Sequence, residues 1–146
     1  MINTPIVGVG AVVIHNERVL LVKRANPPFE GSWCIPGGKV RFGETLQQAA
    51  EREILEETTV IIRAGQPVYA FDVIENTSAG PTVHYVVVDL EADYISGQPQ
   101  AQDDVLDAAW FDKKEIDQDS VQALTRDFLK RWWINNVGNS RGNIGS

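Results

Sequence analysis

The stretch GGKVRFGETLQQAAEREILEETTV, residues 37–60, decides how the chain is read. Leu46, Ala49, Ala50 and Ile54 recur at i, i+3, i+4 and i+8, the spacing of one helix face. Alanine, leucine, glutamine and glutamate favour a helix from Thr45 to about Thr58. Glu53 and Glu57 fall on the same apolar stripe, and Glu56 lies at its edge. A solvated acidic helix is the competing reading. It would put the acids on the polar side with bases four residues on, and only Arg52 with Glu56 fits that description. Like charges at i,i+4, as in Glu53 and Glu57, destabilise a bare helix by roughly 0.2–0.5 kcal/mol. A cation between them would turn the repulsion into attraction.

Carboxylate oxygens without a neighbouring histidine suit a hard ion, Mg²⁺ or Mn²⁺. Such an ion shares its shell with water and phosphate oxygens, so the helix points to phosphate chemistry. Gly37 and Gly38, just before the helix, let the backbone pass close to a ligand. Lys39 and Arg41 can meet phosphate charge there; exposure to solvent is the alternative for both.

Outward from the helix, Val7–Ile14 and Arg18–Lys23 read as two apolar strands joined by a turn at Asn16-Glu17. Residues 25–31 form a loop punctuated by two prolines and a glycine, Ser32–Ile35 a short strand, and Pro36-Gly37-Gly38 a sharp turn. Val60–Arg63, Val68–Ile74, Thr82–Leu90 and Leu106–Phe111 read as strands, with a turn at Asn76–Pro81 and a polar loop at Gly97–Asp104. Asp119 or Ser120 caps a last helix to about Trp133, with Val121, Leu124, Phe128 and Trp132 on one face. A single domain over 1–134 and a mobile polar tail over 135–146 follow. Strands and helices mix without regular alternation, so the expected class is α/β in the α+β sense, with a mixed β-sheet.

Composition bounds the function. A 146-residue chain with a formal charge of −7 argues against a nucleic-acid partner and against an anionic membrane surface. No apolar run reaches the ~20 residues of a membrane helix. Cys34 is the lone cysteine, so no intrachain disulfide forms. No basic region followed by an apolar core opens the chain, so a signal peptide is not expected and a cytoplasmic location is.

The pattern is Gly38, five residues, Glu44, seven residues, Arg52-Glu53-Ile54, one residue, Glu56-Glu57, one residue, Thr59-Val60. It resembles the Nudix box of the Nudix hydrolases. The apolar hairpin, Trp33, the Pro36-Gly37-Gly38 run and the late Trp110-Phe111 pair also resemble that family. One position departs: the family usually has glycine where this chain has Thr59. Glycine suits a left-handed helix end, and threonine there costs about 1 kcal/mol or more unless the helix ends differently. No charged group of the box is lost.

The resemblance implies a Nudix-type α/β/α sandwich and metal-dependent hydrolysis of a nucleoside diphosphate linked to another moiety. ADP-ribose or a nucleotide sugar is the first expectation, nucleoside triphosphates the next. It also implies that Glu53, Glu56 and Glu57 bind Mg²⁺ or Mn²⁺, that the Gly37 carbonyl adds a ligand, and that Arg52 holds the acids by ion pairing. Glu44 would support the metal site or assist a metal-bound water. The base stays open between Glu53 and a later carboxylate, Asp103 or Asp104, whose alternative is a solvated turn.

Substrate contacts are expected from Arg24, Gly38, Lys39, Arg41 and Trp33. Phe29, Trp33, Phe71 and Tyr85 are read first as core aromatics and second as stacking surfaces. His84 is read as structural and His15 as exposed. A small-molecule nucleotide diphosphate is the expected partner, with a homodimer through the last helix as a further expectation. Two rival readings stand beside the hydrolase. One is a non-catalytic Nudix-fold nucleotide-binding or regulatory module. The other is an isomerase of a small diphosphate, which would need a reactive cysteine; Cys34 is more often a small buried apolar side chain.

Overall fold

A computed structural model describes residues 3–137. The two N-terminal apolar runs become strands β1 (Ile6–His15) and β2 (Arg18–Arg24). They are antiparallel about Asn16 and Glu17, whose φ angles of 52° and 58° make the tight turn. Short strands β3 (Trp33–Cys34) and β4 (Gly37–Lys39) follow, then helix α1 (Leu46–Thr58). Strands β5 (Ile61–Thr77), β6 (Gly80–Ser96) and β7 (Val105–Phe111) and helix α2 (Ala123–Asn136) complete the described chain.

The strands form one seven-stranded sheet, with β3-β2-β1-β6-β5 in line, β4 on β1 and β7 on β2. The β1–β6 pair is parallel and the other pairs are antiparallel, so the sheet is mixed as expected. Val9, Ala11 and Val13 of β1 face α1, where they pack with Ala49, Ala50 and Ile54. Val12 points the other way and packs with Phe128, Leu129 and Trp133 of α2. A strand buried on both faces has to be apolar at every position, and this explains the unbroken runs of β1 and β2. The result is a helix on each side of the sheet, the expected sandwich.

Several boundaries differ from the sequence reading. Ile61–Arg63 and Val68–Ile74 belong to one strand, β5, and Val60 precedes it. Its register shifts around Ala64–Tyr69, where Pro67 cannot donate to the ladder, and an edge strand tolerates that. Strand β6 runs to Ser96, six residues past Leu90. Gly37 and Gly38, read as a sharp turn, sit in β4 opposite Gly10 and Val9. A Cβ on Gly37 would collide with the carbonyl oxygen of Val9, so only glycine lets the two strands close. Helix α2 is capped by Gln122, which accepts from the Thr125 amide, and not by Asp119 or Ser120. It buries Phe128, Leu129 and Trp133, while Leu124 is exposed and Trp132 half-buried.

The helix also carries Asn135 and Asn136, expected in a mobile tail; residues 138–146 of that tail lie outside the described residues. His15 is half-buried against Tyr94 at 4.1 Å rather than exposed. No helix among the described residues is long and apolar enough to cross a membrane.

Candidate active site

Helix α1 starts on a capping box. Thr45 accepts from the Gln48 amide, and the Gln48 side chain accepts from the Thr45 amide. This start fixes the rotation of the helix, so its last two turns deliver Glu53, Glu56 and Glu57 beside β4. A cleft of about 620 Å³ opens there. Glu53 and Glu57 line it, together with Gly37 and Gly38. Glu56 is not among the cleft-lining residues, and 36% of its side chain is exposed.

Arg52 organises the acids. Its Nε and Nη2 donate to the two carboxylate oxygens of Glu44 at 2.7 and 2.9 Å. Its Nη1 donates to Glu53 at 2.6 Å and to Glu56 at 3.4 Å, and Nη2 also reaches the Lys39 carbonyl at 2.9 Å. One planar guanidinium thus serves three carboxylates and a backbone carbonyl, which a lysine cannot do. The Arg52 guanidinium and the Arg41 amide hold the Glu44 carboxyl down at about 2. Both Glu44 oxygens are used in this way, so its place is beside Arg52.

Glu57 stands apart from this clamp. It is buried, and its Oε1 accepts the Gly37 N–H at 3.1 Å. Burial raises its carboxyl to about 8, helped by the nearby charges of Glu53 and Asp104 and opposed by the Gly37 amide and Arg24. Among the described residues the acids are near one another without being drawn around one point. Arg52 therefore offsets part of the repulsion that the sequence reading assigned to a divalent ion. The donor set still fits a hard cation: it is all oxygen, and Glu57 is a buried carboxylate with one amide partner. The Glu53 carboxylate lies so close to Gly38 that a Cβ there would strike it, so the glycine admits that carboxylate against the strand.

Of the expected contacts, Arg24, Gly38, Lys39 and Arg41 line the cleft. Arg24 is braced by donating Nε to the Pro28 carbonyl at 2.6 Å. Trp33 packs on Phe111 with ring centroids 4.8 Å apart and is not among the cleft residues. Phe29, Phe71 and Tyr85 are in the cleft wall and outside both core clusters, which corrects their reading as core aromatics. Asp104 lines the cleft and Asp103 does not. His84 makes a surface pair with Asp72 at 3.1 Å. Cys34 is buried at the cleft, and that burial pushes its thiol up to about 12, which agrees with its reading as a small buried apolar side chain.

Sequence reasoning missed Asp89, a buried acid in the cleft whose carboxyl burial pushes up to about 7. The signal was available as one acid inside the apolar run Val86-Val87-Val88-Asp89-Leu90. Gln122 and Thr125, at the start of α2, also reach the cleft from a segment that read only as helix.

Carboxylates grouped at one helix end, facing a cleft with basic residues at its mouth, equip a protein to hydrolyse acid anhydrides. Comparison with known proteins narrows the class: a NUDIX domain model matches residues 4–132, and the chain belongs to the Nudix family as a pyrophosphohydrolase. The chain is 32% identical over 130 residues to an ADP-ribose pyrophosphatase of Methanocaldococcus jannaschii, covering 88% of this chain and 75% of that one. It is 34% identical over 105 residues to an oxidized purine nucleoside triphosphate hydrolase of Danio rerio, covering 72% and 65% respectively. The crystal structure of a MutT NUDIX hydrolase from Burkholderia pseudomallei superposes with a TM-score of 0.74 at 32% identity, over 88% of this chain and 98% of that one. Nudix hydrolases generally use divalent metal ions.

Proposed function

We propose that the chain hydrolyses a phosphoanhydride bond in a nucleoside diphosphate linked to another moiety. ADP-ribose is the first candidate, nucleotide sugars next, nucleoside triphosphates after them. The observation that carries this is Glu57, a buried carboxylate beside Glu53 at the floor of a cleft whose mouth holds Lys39 and Arg41. The ADP-ribose pyrophosphatase named above supports the choice of substrate.

Glu53, Glu56 and Glu57, with the Gly37 carbonyl, would hold Mg²⁺ or Mn²⁺. A bound ion of this kind polarises a phosphoryl oxygen and eases deprotonation of water. Arg52 keeps Glu53 and Glu56 oriented while Glu44 holds Arg52. Lys39 and Arg41 attract the diphosphate, and Arg24, whose charge acts on Glu57, adds a third cation to the cleft. Glu53 is the first candidate to take the proton from the attacking water, with Asp104 as the alternative because it shares the cleft.

A screen of ADP-ribose, nucleotide sugars and nucleoside triphosphates with Mg²⁺ and Mn²⁺, read as phosphate-containing products, tests the reading. Turnover of ADP-ribose with either ion is expected, and failure to cleave any of the compounds overturns the proposal. A cytoplasmic location and a homodimer through α2 are proposed on sequence composition and on the tryptophans of that helix. A monomeric mass in light scattering at micromolar concentration would remove the dimer.

A further inference from the structure

Asp89 lies on β6, opposite Gly10 on one neighbouring strand and Tyr69 on the other. It is 4% exposed, and its carboxyl projects into the cleft over Gly10. A Cβ on Gly10 would strike the Oδ1 of Asp89, so the glycine vacates the space that the carboxyl occupies. Among the described residues, no side chain or amide donates to this carboxyl and no cation pairs with it. Among the described residues no fully buried side-chain oxygen lacks a partner, so the Asp89 oxygens are the part of the residue open to the cleft, where a hydrogen-bond donor entering it can reach them.

We propose that Asp89 reads the ribose of the substrate nucleotide, its two oxygens accepting hydrogen bonds from the 2′- and 3′-hydroxyls. The inference rests on the nucleotide reading above and narrows it to ribonucleotides. The order of groups across the sheet supports it. Gly37 on β4 faces Gly10 on β1, which faces Asp89 on β6, so Asp89 is two strand spacings, roughly 10 Å, from Gly37. Phe71 lies beyond it on β5, and Tyr85 and Val87 lie further along β6. Phosphates at the α1–β4 end and a planar base over the Phe71 and Tyr85 wall leave the sugar between them, at Asp89. A carboxylate accepts and does not donate, so it repels phosphate oxygens and suits a pair of adjacent hydroxyls. Burial raises this carboxyl to about 7, and a pair of hydroxyl donors would favour its charged form.

AMP and 2′-deoxy-AMP are suitable probes, because neither contains an anhydride to be cut. Calorimetry on the whole chain with Mg²⁺ should show AMP binding tighter by about tenfold or more, the usual worth of a hydrogen bond to a charged group. In Asp89→Leu both should bind as weakly as 2′-deoxy-AMP binds the parent, and Asp89→Asn should fall between. Equal affinities in the parent, a preference that survives in Asp89→Leu, or no uptake of either probe at millimolar concentration overturns the inference. The parent comparison needs no variant, so a misfolded variant does not rescue the idea. A ribose preference lost on mutation, without hydrolysis of any diphosphate, would sink the hydrolase reading and leave the role of Asp89 standing.

Discussion

The carboxylate of Glu57 accepts the Gly37 amide at 3.1 Å, which ties the last turn of α1 to strand β4. Glutamine at position 57 keeps an oxygen for that amide and removes the charge. Glu57→Gln should therefore fold, with a melting temperature equal to or above that of the parent, because burying a neutral amide costs less than burying a carboxylate. Turnover should fall by about 100-fold or more through loss of a metal ligand. Product release with Mg²⁺, beside a thermal melt, checks both halves. Parent-like rates on every diphosphate the parent cleaves would remove Glu57 from the metal site.

Stability should fall as pH rises when divalent ions are chelated. Glu57 is raised from 4.5 to about 8 and Asp89 from 3.8 to about 7, so between these values the folded chain holds more protons than the unfolded chain. The stability they contribute is fully present below their unfolded values and is lost as pH rises through the folded ones. With chelator present, the melting temperature should drop by several degrees between pH 5.5 and 8.5. Magnesium should recover more of it at pH 8.5 than at pH 5.5, because proton and metal compete for Glu57. A melting temperature that rises over this range would contradict the burial of these two acids.

Arg52→Lys tests the clamp. Lysine keeps the charge but cannot fork to Glu44 and Glu53 together, both of which Arg52 meets within 3 Å. The expected losses are roughly 10–100-fold in kcat/KM and about 1–2 kcal/mol in stability. The magnesium concentration giving half-maximal rate should rise as well, because Glu53 and Glu56 are no longer pre-oriented. Urea unfolding and a magnesium titration measure these separately. An unchanged magnesium requirement would leave Arg52 with a structural role alone.

The legible parts of this molecule are those written in local periodicity. The helical stripe of Leu46, Ala49, Ala50 and Ile54 placed the carboxylates on the buried side, and Glu57 is indeed buried there. The doubly buried β1 and β2 declared themselves as apolar runs. What sequence could not supply depends on pairing across distance. Whether Phe71 packs in a core or lines a cleft is decided by which face of β5 meets open space beside β6, and the residue type is the same either way. Asp89 gains its setting from Gly10, 79 positions earlier, across a parallel pair that no local pattern encodes. The β5 break around Pro67 misled because a proline ends a central strand but not an edge strand.

Thr59 is the one departure from the box, and the backbone there is left-handed, with φ of 64°. The helix thus ends as a glycine would end it, with the Thr59 amide bonded to the Leu55 carbonyl. The side chain offers some compensation, since Oγ1 donates to the Gln98 carbonyl at 2.7 Å. Two substitutions separate strain from hydrogen bond. Thr59→Ala keeps the strain and loses the bond, so it should destabilise the chain by about 1 kcal/mol. Thr59→Gly loses the bond but relieves a left-handed strain of about 1–2 kcal/mol, partly offset by the greater freedom of an unfolded glycine. It should therefore lie within roughly 0.5 kcal/mol of the parent and above the alanine variant. Both should keep parent-like turnover, since position 59 contributes no group to the cleft. Urea unfolding that ranks alanine at or above glycine would mean that the left-handed cap is not held in solution.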